Sequence, residues 1–240
     1  MRFLYSTYMQ HTFPSRVTGV LELDGIRADV TVTAEVATLT ARALQRLEAE
    51  AEGAFPEVRA WRRAYSTMGL KPTRYRCASE ALLRRLRKGG SLPTLHPLID
   101  LCNAASAASA IPVAVFDLHH MVGDLEVRQA KGNETYLAFS GETEVPDPDE
   151  VIFADEEGNA HARRWANRQS RISAVSAETS HALIVAEALH EGGSADVAKL
   201  MSELAGMIGN RFEVTTDMEL LLSPDAIYVS KDAGESRHVG

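Results

Sequence analysis

The stretch from Ser91 to Asp117, SLPTLHPLIDLCNAASAASAIPVAVFD, constrains the fold more than any other part of the chain. It opens with Pro93 and Pro97, passes through Leu98-Ile99-Asp100-Leu101-Cys102-Asn103, and continues in residues small enough to admit a second segment or a ligand. Leu98 to Ala108 is expected to be a helix with a small-residue face, and Val113 to Leu118 a strand. Asp and Asn set among apolar residues need partners. The stretch therefore reads as the floor of a pocket.

The remaining elements are placed around it. Val17 to Val32 alternates about Asp24-Gly25, the pattern of a β-hairpin with a tight turn. Thr33 to Glu52 has Leu39, Ala43 and Leu47 at helical spacing, with Thr33 or Thr38 as a cap. A helix from Pro56 through Tyr65 and another from Ser79 to Lys88 follow, the second stopped by Gly89-Gly90. Short strands are expected at Leu125–Arg128, Tyr136–Phe139, Val151–Ala154, His161–Ala166, Leu183–Leu189, Phe212–Thr216 and Asp225–Ser230. Ala195 to Ile208 reads as an amphipathic helix. Helices followed by many short strands suggest an α+β fold, a mixed central β-sheet flanked by helices.

Composition is that of an ordinary globular chain, 45% hydrophobic and 24% charged over 240 residues. No apolar run is long enough to span a bilayer, and the N-terminus lacks the apolar core of a signal peptide, so no membrane partner is expected and a cytoplasmic setting is the default. Cys77 and Cys102 are isolated and form no CxxC pair. The net charge of −8 disfavours nucleic acid on its face, but its distribution is uneven. Arg59 to Lys88 holds ten basic residues against the single acid Glu80. That run is either a solvated face balanced by neighbouring acids or a face that meets phosphates.

Several chemistries find no signature. GxGxxG, GxxxxGK[ST] and GxSxG are missing, and the histidines are scattered, so no metal and no cofactor is expected. Cys102 lies in an apolar context that raises a thiol pKa, which suits a packed residue better than a nucleophile. The string Arg163-Arg164-Trp165-Ala166-Asn167-Arg168-Gln169-Ser170 is the most unusual, and its amides can donate and accept at once. Glu187 is a carboxylate where a strand would place a hydrophobe, a candidate to hold an ammonium group. Glu134 and Asp117 are weaker candidates that can equally cap turns.

Taken together, Met68 to Arg76, Ser79 to Arg85, Leu92-Pro93, Ile99 to Asn103, Ile111-Pro112, Phe116-Asp117, Val127-Arg128 with Ala130, and Trp165 to Ser170 resemble free-standing relatives of the B3/B4 domain. That is the editing domain of the bacterial phenylalanyl-tRNA synthetase β subunit. The resemblance covers Ala54 to Leu189 and, more loosely, the ends. It implies a B3/B4-like α+β fold over 54–230, with an N-terminal hairpin and helix over 1–53 packed on it and a frayed polar tail over 231–240. The synthetase domain hydrolyses the ester of mischarged tRNA. Its pocket string Asp-x-Thr-Asn corresponds here to Asp100-Leu101-Cys102-Asn103. Its histidine before Phe-Asp corresponds to Ala114, and a pocket glycine falls at Asn167.

The resemblance implies a trans-acting deacylase that needs neither metal nor covalent nucleophile, because an aminoacyl ester is already activated and wants only a placed water and oxyanion donors. Asn103 and Gln169 would orient the ester and Glu187 or Glu134 would hold the ammonium. Asp100, Cys102, Ala114, Trp165, Asn167 and Ser170 would line the substrate, and Arg74, Arg84 and Arg168 would meet the tRNA backbone. The alternative is a non-catalytic module that binds tRNA or an amino-acid-like small molecule. A small-molecule hydrolase unrelated to tRNA is a weaker third reading.

Overall fold

A computed structural model describes residues 1–231. In chain order the elements are β1 (Arg2–Tyr5), α1 (Thr7–Thr12), β2 (Val17–Asp24), α2 (Thr33–Ala49), α3 (Pro56–Thr67), α4 (Ala78–Gly89), α5 (Pro97–Ser109), β3 (Val113–Asp117), β4 (Leu125–Gln129), β5 (Tyr136–Leu137), β6 (Thr143–Glu144), β7 (Val151–Ala154), β8 (Ala160–Arg163), β9 (Arg168–Gln169), β10 (His181–Ala188), α6 (Gly193–Phe212), β11 (Thr216–Leu221) and β12 (Tyr228–Val229). A six-stranded sheet has the order β12-β1-β4-β7-β8-β9, and a four-stranded sheet the order β11-β2-β10-β3. Strands β1 and β4 are parallel, and the other pairs in these two sheets are antiparallel. The fold is α+β, as the element order suggests.

The four-stranded sheet is the middle layer, and the period of two along β10 shows why. Ala182, Ile184 and Ala186 pack with Leu101, Ala105, Leu200 and Leu204 of α5 and α6. Leu183 and Val185 face the other way, against Phe3, Phe116 and Phe153 of the two-sheet core. A strand covered on both faces reads as a continuous apolar run, which is how Leu183 to Leu189 looks in the sequence. Glu187 shares the parity of Leu183 and Val185, so it is carried into the sheet-to-sheet layer, 4% exposed.

Small residues set the spacing of the helical layer. Ala104, Ala105, Ser106, Ala107 and Ala108 of α5 are all buried, as close helix packing on several sides requires. Helix α5 ends at Ala110 in a left-handed conformation (φ 58), and Ser106 Oγ donates to Ile111 O at 2.6 Å. On the sheet beneath, a Cβ added to Gly19 of β2 would lie 2.8 Å from Val197 Cγ1 of α6. That glycine lets α6 sit directly on the sheet.

Three expectations are corrected. The hairpin at Val17–Val32 is one strand: Asp24 Oδ1 accepts from Gly25 N and ends it, Ile26 N bonds Ser180 O, and β2 pairs with β10 and β11 instead. Residues 1–53 supply β1 and β2 to the two sheets. The strand expected at Phe212–Thr216 is the end of α6, and the strand begins at Thr216. Helix α2 has no side-chain cap from a threonine; Thr38 bonds back to Ala34 O. The tail expected over 231–240 lies outside the described residues beyond Lys231.

Candidate functional site

The turn from β8 to β9 builds the site. Arg164 (φ 48) and Trp165 (φ 56) are consecutive left-handed residues without being glycine, a conformation that costs energy and persists only when its surroundings impose it. Here Trp165 N bonds Val151 O at 2.7 Å, Arg164 N bonds Glu150 Oε1 at 3.2 Å, and Tyr65 OH donates to Arg164 O at 3.3 Å. The turn drives the Trp165 indole into the core, 4.6 Å from the Trp61 ring and 4.8 Å from Phe13. The strand expected over His161–Ala166 therefore stops at Arg163.

Trp165 Nε1 donates to both oxygens of Glu187 at 2.9 Å, and Tyr5 OH donates to Oε1 at 2.6 Å. Burial raises the Glu187 pKa, and these two donors offset only part of that. The Arg16 guanidinium lies over the Tyr5 ring, 3.3 Å from its centroid. Glu187 is thus a buried acceptor whose two donors, Tyr5 and Trp165, tie it to the turn and position the indole.

Two adjoining cavities meet at Gln169. The smaller, about 60 Å³, is lined by Ala114, Trp165, Asn167, Arg168, Gln169 and Glu187, among others. The larger, about 520 Å³, is lined by Asn103 and Gln169 together with His96, Leu95, Phe139 and Val175. Asn103 and Glu187 do not share a cavity; Gln169 is the wall common to both. Gln169 Nε2 donates to Val115 O of β3, and Asn167 Nδ2 to Arg76 O at 2.7 Å. Both amides are held by backbone carbonyls, so their orientation is set before any ligand arrives.

Other candidates fall elsewhere. Cys102 faces the helical core, and burial pushes its thiol well up. Asp100 accepts from Leu95 N at 2.8 Å and fixes the entry to α5. Ser170 Oγ donates to Leu137 O at 3.0 Å and is fully buried. Glu134 lies in the loop between β4 and β5, accepting from Arg128 and from the backbone N–H groups of Lys131, Gly132 and Asn133. Asp117 accepts from Thr179 Oγ1 and His119 N. Arg84 pairs with Glu52 and Arg168 with Glu144. Arg74 is exposed and makes no ion pair among the described residues. The cations on α3 and α4 that are exposed and lack a carboxylate partner there are Arg59, Arg63, Arg85 and Lys88.

Two arrangements escaped the sequence reading. His161 Nδ1 meets Ser173 Oγ at 2.9 Å and Nε2 meets Asp155 Oδ2 at 3.2 Å, a Ser-His-Asp chain assembled across the β8 region. Ser173 and His161 are both 0% exposed, so no substrate reaches the hydroxyl and the chain is structural. The second is His96, whose Nδ1 accepts from Leu98 N at 3.2 Å and whose buried Nε2 has no hydrogen-bond partner among the described residues; its place directly before Pro97 at a helix start was the available signal.

Residues 60–223 match the B3/4 domain family. The chain is 39% identical over 79 residues to the phenylalanine–tRNA ligase β subunit of Bradyrhizobium diazoefficiens, covering 33% of this chain and 10% of that protein. It is 34% identical over 105 residues to the β subunit of Rhodopseudomonas palustris, covering 44% of this chain and 13% of that protein. The matched stretches thus span about a tenth of these relatives' length. A solved N-terminal fragment of the phenylalanyl-tRNA synthetase β subunit from Pyrococcus horikoshii aligns with TM-score 0.47 and 9% identity, over 89% of this chain and 49% of that fragment. With the match running over more than half of its length, the chain belongs to the B3/4 domain family.

Proposed function

We propose that this domain hydrolyses the ester of mischarged aminoacyl-tRNA, acting in trans. The observation that carries the reading is Gln169 standing as the shared wall of two cavities, with Asn103 on one side and the Trp165–Glu187 pair on the other. The ester lies at that wall. Asn103 and Gln169 donate to its carbonyl oxygen as negative charge develops there, and a water placed beside them attacks. The Gln169 amide needs no reorganisation at that moment, because it is already pinned to Val115 O.

The acyl group then points into the smaller cavity, which Trp165 limits to about 60 Å³. At roughly 10–15 Å³ for each water, that is room for about four to six waters. Small amino acids such as glycine, alanine or serine are the expected acyl groups, and tyrosine is too large. Deacylation of a panel of mischarged tRNAs tests this, with Asn103→Ala and Gln169→Ala beside the unaltered chain. Turnover of small aminoacyl-tRNAs that both variants lose supports the reading, and no turnover with any pair removes it.

One observation favours a non-catalytic module instead. Ala114 gives the smaller cavity only a methyl group, and Glu187 is already engaged by Tyr5 and Trp165. Binding of tRNA without turnover would select that reading.

A further inference from the structure

Arg16, directly before β2, is 1% exposed and pairs with no carboxylate among the described residues. Its Nη2 donates to Pro224 O at 3.1 Å and its Nε to Thr18 Oγ1 at 3.4 Å, while Nη1 has no hydrogen-bond partner among the described residues. A guanidinium keeps its charge in proteins, and a buried charge needs a counter-charge. Glu187 presents the converse case: a buried carboxyl whose bonded donors, Tyr5 and Trp165, carry no positive charge.

Sheet register brings the two together. Thr18 stands directly opposite Glu187 in the β2–β10 pair. Tyr5 reaches both from β1, its OH lying 2.8 Å from Thr18 Oγ1 and 2.6 Å from Glu187 Oε1. The two ends fix the direction of the bonds between them, since a guanidinium only donates and a carboxylate only accepts. Tyr5 therefore gives its proton to Glu187 and takes a bond from Thr18, whose oxygen accepts from Arg16 Nε. Every bond points from cation to anion, an order in which each polarises the next. The guanidinium also lies over the Tyr5 ring, 3.3 Å from its centroid.

The other titratable groups around this layer do not compete. Burial raises the Tyr65 and Cys77 pKa values and keeps both groups neutral. Arg164 is turned to Glu150 and Arg168 to Glu144. Burial raises the Glu187 pKa; Tyr5, Trp165 and the Arg16 charge oppose the rise.

We propose that Arg16 is the counter-ion of Glu187, reaching it through Thr18 and Tyr5, and by that route a positioning residue for Trp165. An ionised carboxylate is the stronger acceptor for the indole N–H, so Arg16 acts on the wall that limits the smaller cavity. Arg16, Thr18 and Tyr5 all precede residues 60–223, the stretch that matches the B3/4 family. The N-terminal segment thus supplies the relay, and the matched stretch supplies the acid. Its effect on hydrolysis rests on the function proposed above, whereas the relay itself does not.

The test follows the ¹³C signal of the Glu187 side-chain carboxyl against pH in the full chain, assigned by its loss in Glu187→Gln. The position of the signal distinguishes acid from carboxylate, and the carboxylate is expected at neutral pH. Arg16→Met, and Tyr5→Phe, which keeps the ring and removes the relaying hydroxyl, should each raise the midpoint by about one pH unit. Arg16→Lys keeps a cation and should restore most of the difference. Should Arg16→Met fail to fold, Thr18→Val decides. Thr18 makes no hydrogen bond to Glu187, so a midpoint raised by its loss has travelled through Tyr5, and an unmoved one overturns the proposal. It is also overturned if Glu187 is a neutral acid at neutral pH in the unaltered chain, if Tyr5→Phe leaves the midpoint in place, or if Arg16→Lys moves it as far as Arg16→Met. The measurement uses no substrate, so a failed relay leaves the proposed hydrolysis standing and a failed deacylation leaves the relay.

Discussion

Trp165 Nε1 and the Glu187 carboxylate are locked together at 2.9 Å to both oxygens, inside the layer between the two sheets. This bond ties a backbone turn with two left-handed residues to the strand that crosses the middle of the fold. It sets where the indole ends and, through it, the size of the smaller cavity.

Breaking the pair should be costly. Glu187→Ala leaves Trp165 Nε1 buried without an acceptor and Tyr5 OH with Thr18 Oγ1 alone, a loss of about 2–3 kcal/mol. Urea unfolding measures it, and a change below about 1 kcal/mol would show that the pair does not hold the turn. Glu187→Gln keeps the shape and should cost less. The pH dependence has a definite sign. Because the folded-state pKa of Glu187 is raised, the folded chain holds this proton more tightly than the unfolded chain. Its contribution therefore falls as pH rises from the ordinary carboxylate range through the raised value, and Glu187→Gln should abolish that slope.

Acid should act through other groups. Burial pushes Glu22 upward, but hydrogen bonds from His181, Tyr228 and Ser230 outweigh it and bring its pKa to about 2. Asp155, bonded to His161 and Asn159, and Glu134, bonded to Lys131 N and Arg128, are likewise brought against burial to about 2. Depressed carboxylates stabilise the fold fully above their unfolded pKa and lose that contribution as pH falls toward the folded value. Stability should therefore drop between about pH 4.5 and pH 2, and Glu22→Gln should flatten the drop in a pH series of thermal melts.

Gly19→Val should destabilise the chain by about 1–3 kcal/mol, the usual cost of overpacking. The added side chain meets Val197 and Met201 of α6. A Met201→Ala change made together with it should recover part of the loss, and additive losses in the double variant would show that the clash lies elsewhere.

Both cysteines should resist thiol reagents in the folded chain. Cys77 and Cys102 are buried, and burial raises the Cys77 pKa to about 11, so little reactive thiolate is present at neutral pH. Titration with a chromogenic disulfide should find both thiols only after denaturation.

If the domain binds tRNA, the unpaired cations carry the interaction. Arg63→Glu and Arg85→Glu should weaken binding and lower the salt slope by about one for each phosphate that is no longer neutralised. Arg84→Ala should lower stability instead, because it deprives the buried Glu52 of a partner. Equal binding losses from all three would count against a split between paired and unpaired arginines.

The helices were legible because their signals are local. Leu39 and Ala43, the Pro56 start and the Gly90 end each act within a turn or two of chain. The apolar run at Leu183 to Leu189 likewise gave away a strand covered on both faces. Asp24-Gly25 misled, because a turn dipeptide ends a strand equally well whether its partner is next in the chain or, as here, in β10. The arginines of the basic run looked alike in one dimension, and only the positions of Glu52 and Glu80 separated the paired from the free.

By itself the sequence determined the α+β class, the helix of small residues and the presence of an acid in a buried strand, since periodicity, caps and side-chain volume are properties of neighbours along the chain. Tertiary structure alone decided that Gln169 would divide two cavities, that Glu187 would be spent on Tyr5 and Trp165, and that His96 Nε2 would be left over. Those outcomes depend on contacts between segments as far apart as 182 positions, Tyr5 to Glu187, and a hydrogen-bond donor is free or used only once every such neighbour is in place.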